Sequence, residues 1–111
     1  MPLFHKSLVP ETERTFAGAS LTASYQTIGT PLAHASTMMI WVNNTGVIVK
    51  VSFNGVNDHF TLLAGATVIF DENANAVSSA EYKTPNLTQF YVRTTGVAGS
   101  DNIYFDTFYS K

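Results

Sequence analysis

Two pairs of residues are the first candidates for catalytic chemistry. Asp58 and His59 could act as acid and base, but they are neighbours at the start of a predicted strand, where successive side chains point to opposite faces. Asp101 and Asp106 also fall on opposite faces of a predicted strand, so they do not pair as glycosidase carboxylates do. The sequence has no cysteine and no G-x-S-x-G motif to supply a nucleophile. We therefore expect that the protein is not an enzyme.

A metal site is the next possibility. From Asp71 to Asn75, oxygen-bearing side chains recur at alternate positions, as at the start of a calcium loop. The match then fails, because Ala76 stands where the turn glycine belongs and Tyr82 where the bidentate glutamate belongs. The three histidines show no H-x-H or H-x-x-x-H spacing. We expect neither a metal ion nor another cofactor.

The composition favours a small β-protein. With 111 residues the chain is long enough for one domain with its own core. Charged residues make up only 13% of the chain, and uncharged polar residues that suit strands and turns replace them. The net charge of −2, without a cluster of basic residues, argues against nucleic-acid binding. No stretch is apolar enough for a signal peptide or a membrane span, so we expect no membrane partner.

The elements that position these residues are predicted to be strands. Residues 46–63 form the clearest unit, a β-hairpin in which the alternating run 47–53 leads into Asn54-Gly55, a pair typical of tight turns with positive φ angles. Phe60 and Leu62 then share one face of the returning strand. Further strands are predicted at residues 16–28, 34–43, 67–71, 88–95 and 101–109. About seven to eight strands with turns between them indicate an all-β sandwich or barrel.

Two segments depart from this alternation. Residues 1–14 contain two prolines and no clear period, and we interpret them as an extended N-terminal arm before a domain at residues 15–111. The arm either frays or docks through its apolar side chains. Residues 72–87 form the longest irregular connection, with room for one helical turn.

An excess of apolar and aromatic side chains is predicted on outward positions. The strand at 34–43 is apolar on both faces, with Trp41 on one of them, and Tyr91, Tyr104 and Phe108 are expected to point outward. Either these rings pack against another subunit, or tyrosine covers a wide sheet surface, as it often does in strands. We favour the interface.

The segment from Trp41 to Asn75 resembles a pattern found in small virion proteins of tailed bacteriophages. It has an Asn-Asn-Thr turn, a strand ending in Ser-Phe-Asn-Gly, an Asp-His-Phe strand, an Ala-Gly turn and a strand closing at Asp. Residues 89–111 are similar to the two strands that finish those proteins. With its length, the chain resembles the decoration, or staple, proteins of podovirus capsids.

That resemblance implies a jelly-roll-like antiparallel β-sandwich, often a homodimer, assembled in the host cytoplasm and bound to the outside of the major capsid protein shell. Such a protein stabilises the shell against internal pressure through many weak contacts. The partner-binding residues that we expect are Leu3, Phe4, Leu8 and Val9 of the arm, Tyr82 and Lys83 of the long connection, and the aromatic residues Trp41, Tyr91, Tyr104 and Phe108.

Two other functions remain open. A carbohydrate- or receptor-binding β-sandwich of the phage tail would stack sugars on exposed aromatic rings, and a coplanar row of Trp41, Tyr91 and Tyr104 would favour it. A head-tail connector ring subunit could share the fold and differ in symmetry.

Overall fold

The fold consists of two antiparallel β-sheets, as expected for a β-sandwich. The computed structural model describes residues 8–71 and 84–110, which contain nine strands. They are β1 (Leu8–Pro10), β2 (Arg14–Ala17), β3 (Gln26–Thr27), β4 (Met38–Asn43), β5 (Val49–Ser52), β6 (Phe60–Leu62), β7 (Thr67–Asp71), β8 (Tyr91–Thr94) and β9 (Asn102–Ser110), and a short 3-10 helix spans Gly18–Ser20. The predicted all-β class is confirmed, and the jelly-roll arrangement stays a prediction.

The first sheet is built around β9, the longest strand described. On one side β9 pairs with β4, from Phe108 opposite Met38 to Ile103 opposite Asn43, and β7 continues the sheet beyond β4. On its other side β9 pairs with β1 near its C-terminal end and with β2 near its N-terminal end. β4 is thus a central strand, which agrees with the apolar residues on both of its faces.

The second sheet has the order β3-β8-β5-β6. β5 and β6 are the two strands of the predicted hairpin, with Val49 opposite Leu62 and Val51 opposite Phe60. Leu62 is buried and Thr61 is exposed, so the predicted faces of this strand are confirmed.

The core between the sheets is dominated by aromatic rings. Trp41 of β4 stacks on Phe105 of β9, with 3.7 Å between the ring centroids and 11° between the planes. Phe90 meets both rings edge-on, at 5.6 Å from Trp41 and 4.8 Å from Phe105. Aliphatic side chains such as Val51 and Val92 complete this core from the second sheet. Burial of these side chains stabilises the sandwich, and the ring geometries are those that aromatic pairs prefer.

The turn of the hairpin differs from the prediction. Instead of a two-residue turn, residues 53–59 form a longer loop, and of the two residues Asn54 and Gly55 only Gly55 has a positive φ angle, of 75°. The side chain of Asn54 accepts hydrogen bonds from the N–H groups of Val56 and Asn57 at 2.8 and 3.0 Å. Asn54 therefore stabilises the loop by Asx-type hydrogen bonding rather than by a left-handed backbone.

The N-terminal part of the chain also differs. The predicted strand at residues 16–28 is two short strands, β2 in the first sheet and β3 in the second, separated by the 3-10 helix. Moreover, the described part of the predicted arm belongs to the first sheet, because β1 pairs with β9 and Arg14, at the start of β2, is buried. Residues 8–14 of the predicted arm are therefore docked on the sandwich, one of the two alternatives given for the arm, and the division into arm and domain at residue 14 stays a prediction.

Candidate functional site

The outer face of the first sheet carries apolar side chains that point away from the core. Residues that lie directly opposite each other on paired strands share a face, so the outward residues of β9, β4 and β7 form rows across the sheet. Asp106, Ile40 and Ile69 form the middle row. We call the six apolar members of these rows the apolar face: Met38, Ile40, Val42, Ile69, Tyr104 and Phe108.

The apolar face is accessible to solvent. Ile69 is 60% exposed, and the other five side chains are partly exposed. The whole outer face of this sheet, which also includes the acidic side chains and the outward residues of β1 and β2, is four strands wide. At about 4.8 Å between strands and about 3.3 Å per residue it covers roughly 300–400 Å². An exposed apolar surface on a sheet is a common feature of protein interaction sites.

The charged groups of this outer face are all acidic in the described part of the chain. Asp106 lies in the middle row, Asp71 is opposite Met38 at the sheet edge, and Glu13 forms a side-chain hydrogen bond with Asp106. That hydrogen bond, together with partial desolvation and repulsion between the two carboxyl groups, raises the pKa of Glu13 above its ordinary value. The carboxyl pair thus lies beside Ile40, on an otherwise apolar surface.

The outer face of the second sheet has a different character. Arg93 of β8 donates from Nε to Oδ1 of Asp58 at 2.9 Å and from Nη2 to Oδ2, and the Tyr25 hydroxyl donates to the same carboxylate. Hydrogen bonds from Arg93 and Tyr25 lower the pKa of Asp58 to about 2. Lys50 lies opposite Arg93 on β5. This surface is polar, and its charged groups are largely paired with each other.

A groove between the N-terminal segment and the turn before β4 is a third candidate. Its volume is about 330 Å³, and Glu11, Arg14, His34 and Tyr109 are among its lining residues. The Glu11 carboxylate accepts hydrogen bonds from Arg14 at 2.8 Å and from the backbone N–H of His34 at 2.9 Å, and the His34 ring stacks on Tyr109. The polar groups therefore bind each other, and we interpret the groove as a structural junction.

Of the expected partner-binding residues in the arm and the long connection, only two lie among the described residues. Leu3, Phe4, Tyr82 and Lys83 lie outside the described residues. Leu8 and Val9 lie in β1 at an edge of the first sheet, and Leu8 is 51% exposed.

The expected aromatic residues do not form one surface. Tyr104 and Phe108 lie on the apolar face, whereas Tyr91 lies on the second sheet with its ring against Gly55. Trp41 is fully buried in the core, so the prediction that it contacts a partner is wrong. The reason is that Trp41 alternates with Ile40 along β4, and its side of the strand faces the second sheet.

Four residues of the apolar face were not named as binding candidates from the sequence: Met38, Ile40, Val42 and Ile69. The alternation of side chains along the strands could have identified them. The alternation in Thr67–Asp71 already separates Val68 and Phe70, which pack on the core, from Ile69, which points outward. The pairing of Glu13 with Asp106 had no such signal, because it depends on β2 lying beside β9.

The residues first considered for chemistry do not act together. Asp58 binds Arg93, whereas Nδ1 of its neighbour His59 accepts a hydrogen bond from the Phe53 backbone N–H at 3.0 Å. Across residues 8–71 and 84–110, no three His, Asp or Glu side chains are grouped to hold a metal ion. The rest of the calcium-like segment, after Asp71, lies outside the described residues.

The segment Asn43-Asn44-Thr45 matches the N-x-T pattern of a glycosylation sequon. The side chain of Asn43, however, is fully buried. Its Nδ2 group donates to the backbone carbonyls of Val47, Leu62 and Leu63 at 2.8 to 3.2 Å, and its Oδ1 atom accepts from Thr45. Asn43 is therefore a structural residue that joins the start of the hairpin to its end.

None of the described helical segments is long and apolar enough to cross a membrane. Comparisons with protein-family models, with curated proteins and with solved structures find no match.

Proposed function

We propose that this protein is a structural component of a bacteriophage virion, a decoration protein that binds the outside of the major capsid protein shell and stabilises it. The single observation that carries the proposal is the apolar face, a surface formed by the paired strands of one sheet. A protein that works by adhesion needs such a surface, and it needs no catalytic residues.

The outer face that contains the apolar face has a size that suits repeated weak contacts. A surface of about 300–400 Å² is roughly half of what each partner buries in a standard protein complex. One such contact is weak, but a capsid presents the same binding surface many times, and several contacts made by linked copies add up to tight attachment. The homodimer implied by the resemblance would supply that linkage.

The coplanar row of aromatic rings that would favour carbohydrate binding is not formed by the three expected residues. Trp41 is buried, and Tyr91 and Tyr104 lie on different sheets, so the three rings cannot form one stacking platform. A connector-ring subunit could use the apolar face equally well, so the experiment must distinguish these two locations in the virion.

The test starts from a phage that encodes this chain. The gene for the chain is deleted, and virions that lack the protein are purified. Purified wild-type protein is added back, the particles are imaged by electron cryomicroscopy, and their rupture temperature is measured. We expect new density on the outside of the shell and a higher rupture temperature. Density at the tail or the connector, or no binding, would contradict the proposal.

Two serine variants identify the surface that binds. Ile69→Ser removes the most exposed side chain of the apolar face and should reduce shell occupancy, because less apolar surface is buried on binding. Val97→Ser is the matched control, since Val97 is 79% exposed in the turn between β8 and β9, away from this face. Equal loss of binding in both variants would show that the apolar face is not the contact.

A further inference from the structure

We propose that the apolar face binds a protein surface that combines apolar side chains with at least one lysine or arginine, and not a second copy of itself. This inference deepens the proposed function and rests on it for the identity of the partner. The first argument is charge, because Glu13, Asp71 and Asp106 are the charged residues found on this outer face in the described chain. Bringing an apolar partner against these carboxylates is costly unless the partner supplies a cation.

The second argument comes from symmetry. In a face-to-face dimer with its twofold axis across the strands, the middle row meets its own copy, so Asp106 faces Asp106 and Glu13 faces Glu13. With the axis along the strands, the row is reversed, and Asp106 faces Ile40 of the other copy. The first arrangement brings like charges together, and the second desolvates a carboxylate against an isoleucine, so both are unfavourable at neutral pH.

The third argument is area. A face-to-face dimer through this surface would bury roughly 600–800 Å² in total, which falls below the range of stable, specific complexes. A self-complementary contact of this size, without charge pairing, does not hold a dimer together. A homodimer of this protein would therefore use another surface and leave the apolar face free for the partner.

The test uses the full-length chain labelled with ¹⁵N and two synthetic peptides of equal length, one alternating leucine with lysine and the other leucine with glutamate. We expect the lysine peptide to shift the amide resonances of Ile40, Ile69 and Asp106, and the glutamate peptide to cause no such shifts. Equal binding of both peptides, no binding of either, or shifts confined to Lys50 and Arg93 on the second sheet would overturn the inference.

A matched pair of variants tests the charge directly. Asp106→Asn should weaken binding of the lysine peptide about two- to fivefold, the effect expected from one partly exposed charge pair. Asp101→Asn makes the same change in net charge at the exposed turn before β9, and it should leave the affinity unchanged. Equal weakening would mean that the peptide responds only to net charge, which also overturns the inference.

Self-association is measured on the same material by sedimentation velocity at neutral pH. If a dimer is found, NMR spectra are recorded as it dissociates on dilution. Shifts in the amide resonances of Ile40 and Ile69 would place the dimer contact on the apolar face and overturn the exclusion of a second copy. If the lysine peptide binds as expected but the protein does not bind capsid shells, the proposed virion function fails and the assignment of partner chemistry stands.

Discussion

The Glu11 carboxylate and the Arg14 guanidinium form an ion pair inside the protein, with Nη2 of Arg14 donating to Oε1 of Glu11 at 2.8 Å and side chains that are only 9% and 6% exposed. Arg14 also donates from Nε to the carbonyl of Thr30 at 2.8 Å and from Nη1 to the hydroxyl of Thr107 at 3.0 Å. This one side chain therefore connects the N-terminal segment, the turn at residues 29–31 and β9.

Replacement of Arg14 should destabilise the fold strongly. In Arg14→Met the Glu11 carboxylate remains buried without its cation, and the Thr30 carbonyl loses its donor, so we expect a loss of about 3 kcal/mol in the free energy of unfolding. Urea denaturation measures it. Arg93→Met, which breaks the ion pair on the outer face of the second sheet, is the control and should have a much smaller effect. Equal losses would mean that burial does not determine the contribution of these pairs.

The same ion pair should make stability depend on pH. Burial alone would raise the pKa of Glu11, but hydrogen bonds from Arg14, His34 and the Ala33 N–H outweigh it and hold the pKa below its ordinary value of 4.5. The unfolded chain therefore takes up the proton first, and the stabilisation is complete above pH 4.5 and lost as the pH falls through the lower pKa of the folded state. Urea denaturation from pH 7 to pH 3 should show a smaller decrease for Glu11→Gln than for the wild type. Parallel curves would contradict the assignment.

The sequence predicted most of the strands because their signal is local. Alternation along residues 34–43 and 46–63 depends on neighbours one or two positions away, and the side chains of β4 and β6 point as that alternation requires. The strands β1 and β2 were not predicted from residues 8–17, because these strands have short, irregular sequences and their partner strand begins at Asn102. Strand pairing at that separation is set by tertiary packing.

The candidate site was only partly predictable for the same reason. The sequence predicted apolar residues on both faces of β4 and outward positions for Tyr104 and Phe108, and both residues do lie on the apolar face. The acidic character of the surface depends on which strands flank β9, and local sequence does not contain that information. Trp41 was expected to contact a partner because the sequence does not tell which side of a doubly apolar strand faces the second sheet.

Gly29 should be far less replaceable than Gly46. Both residues have positive φ angles, of 65° and 81°, so alanine costs about 1 kcal/mol of backbone strain at either position. A Cβ atom at Gly29 would also lie 2.6 Å from Cγ of Arg14, whose hydrogen bonds hold it in place, whereas nothing lies within 4 Å at Gly46. Thermal unfolding should show a loss for Gly29→Ala that exceeds that for Gly46→Ala by about 1–3 kcal/mol. Equal losses would mean that Arg14 moves aside without cost.

The pKa of Glu13 should depend on the neighbouring Asp106 carboxyl group. The shared hydrogen bond, partial desolvation and mutual repulsion raise the pKa of Glu13, so Asp106→Asn should lower it toward its ordinary value of 4.5. The chemical shift of the Glu13 carboxyl carbon, followed by NMR from pH 2 to pH 8, measures this. Asp101→Asn is the control and should leave the titration of Glu13 unchanged. An unchanged titration in Asp106→Asn would contradict the hydrogen bond between the Glu13 and Asp106 side chains in solution.

Asn43 should be a strong determinant of stability despite its polar side chain. Asn43→Ala removes the donor to the carbonyls of Val47 and Leu62 and the acceptor for Thr45, and these buried groups then lack a partner. Since each unsatisfied buried polar group costs about 1–3 kcal/mol, and some relaxation is expected, the variant should lose about 2–4 kcal/mol in urea denaturation.

The neighbouring residue provides the control for this last substitution. Asn44 is exposed, and its backbone N–H, which donates to the Asn102 carbonyl at 3.1 Å, is retained in Asn44→Ala, so that variant should lose less than about 0.5 kcal/mol. The contrast between two adjacent asparagines separates burial from residue type. If Asn43→Ala were as stable as Asn44→Ala, a water molecule would have to take over the hydrogen bonds of the Asn43 side-chain amide. That result would contradict the close packing of the two ends of the hairpin around Asn43.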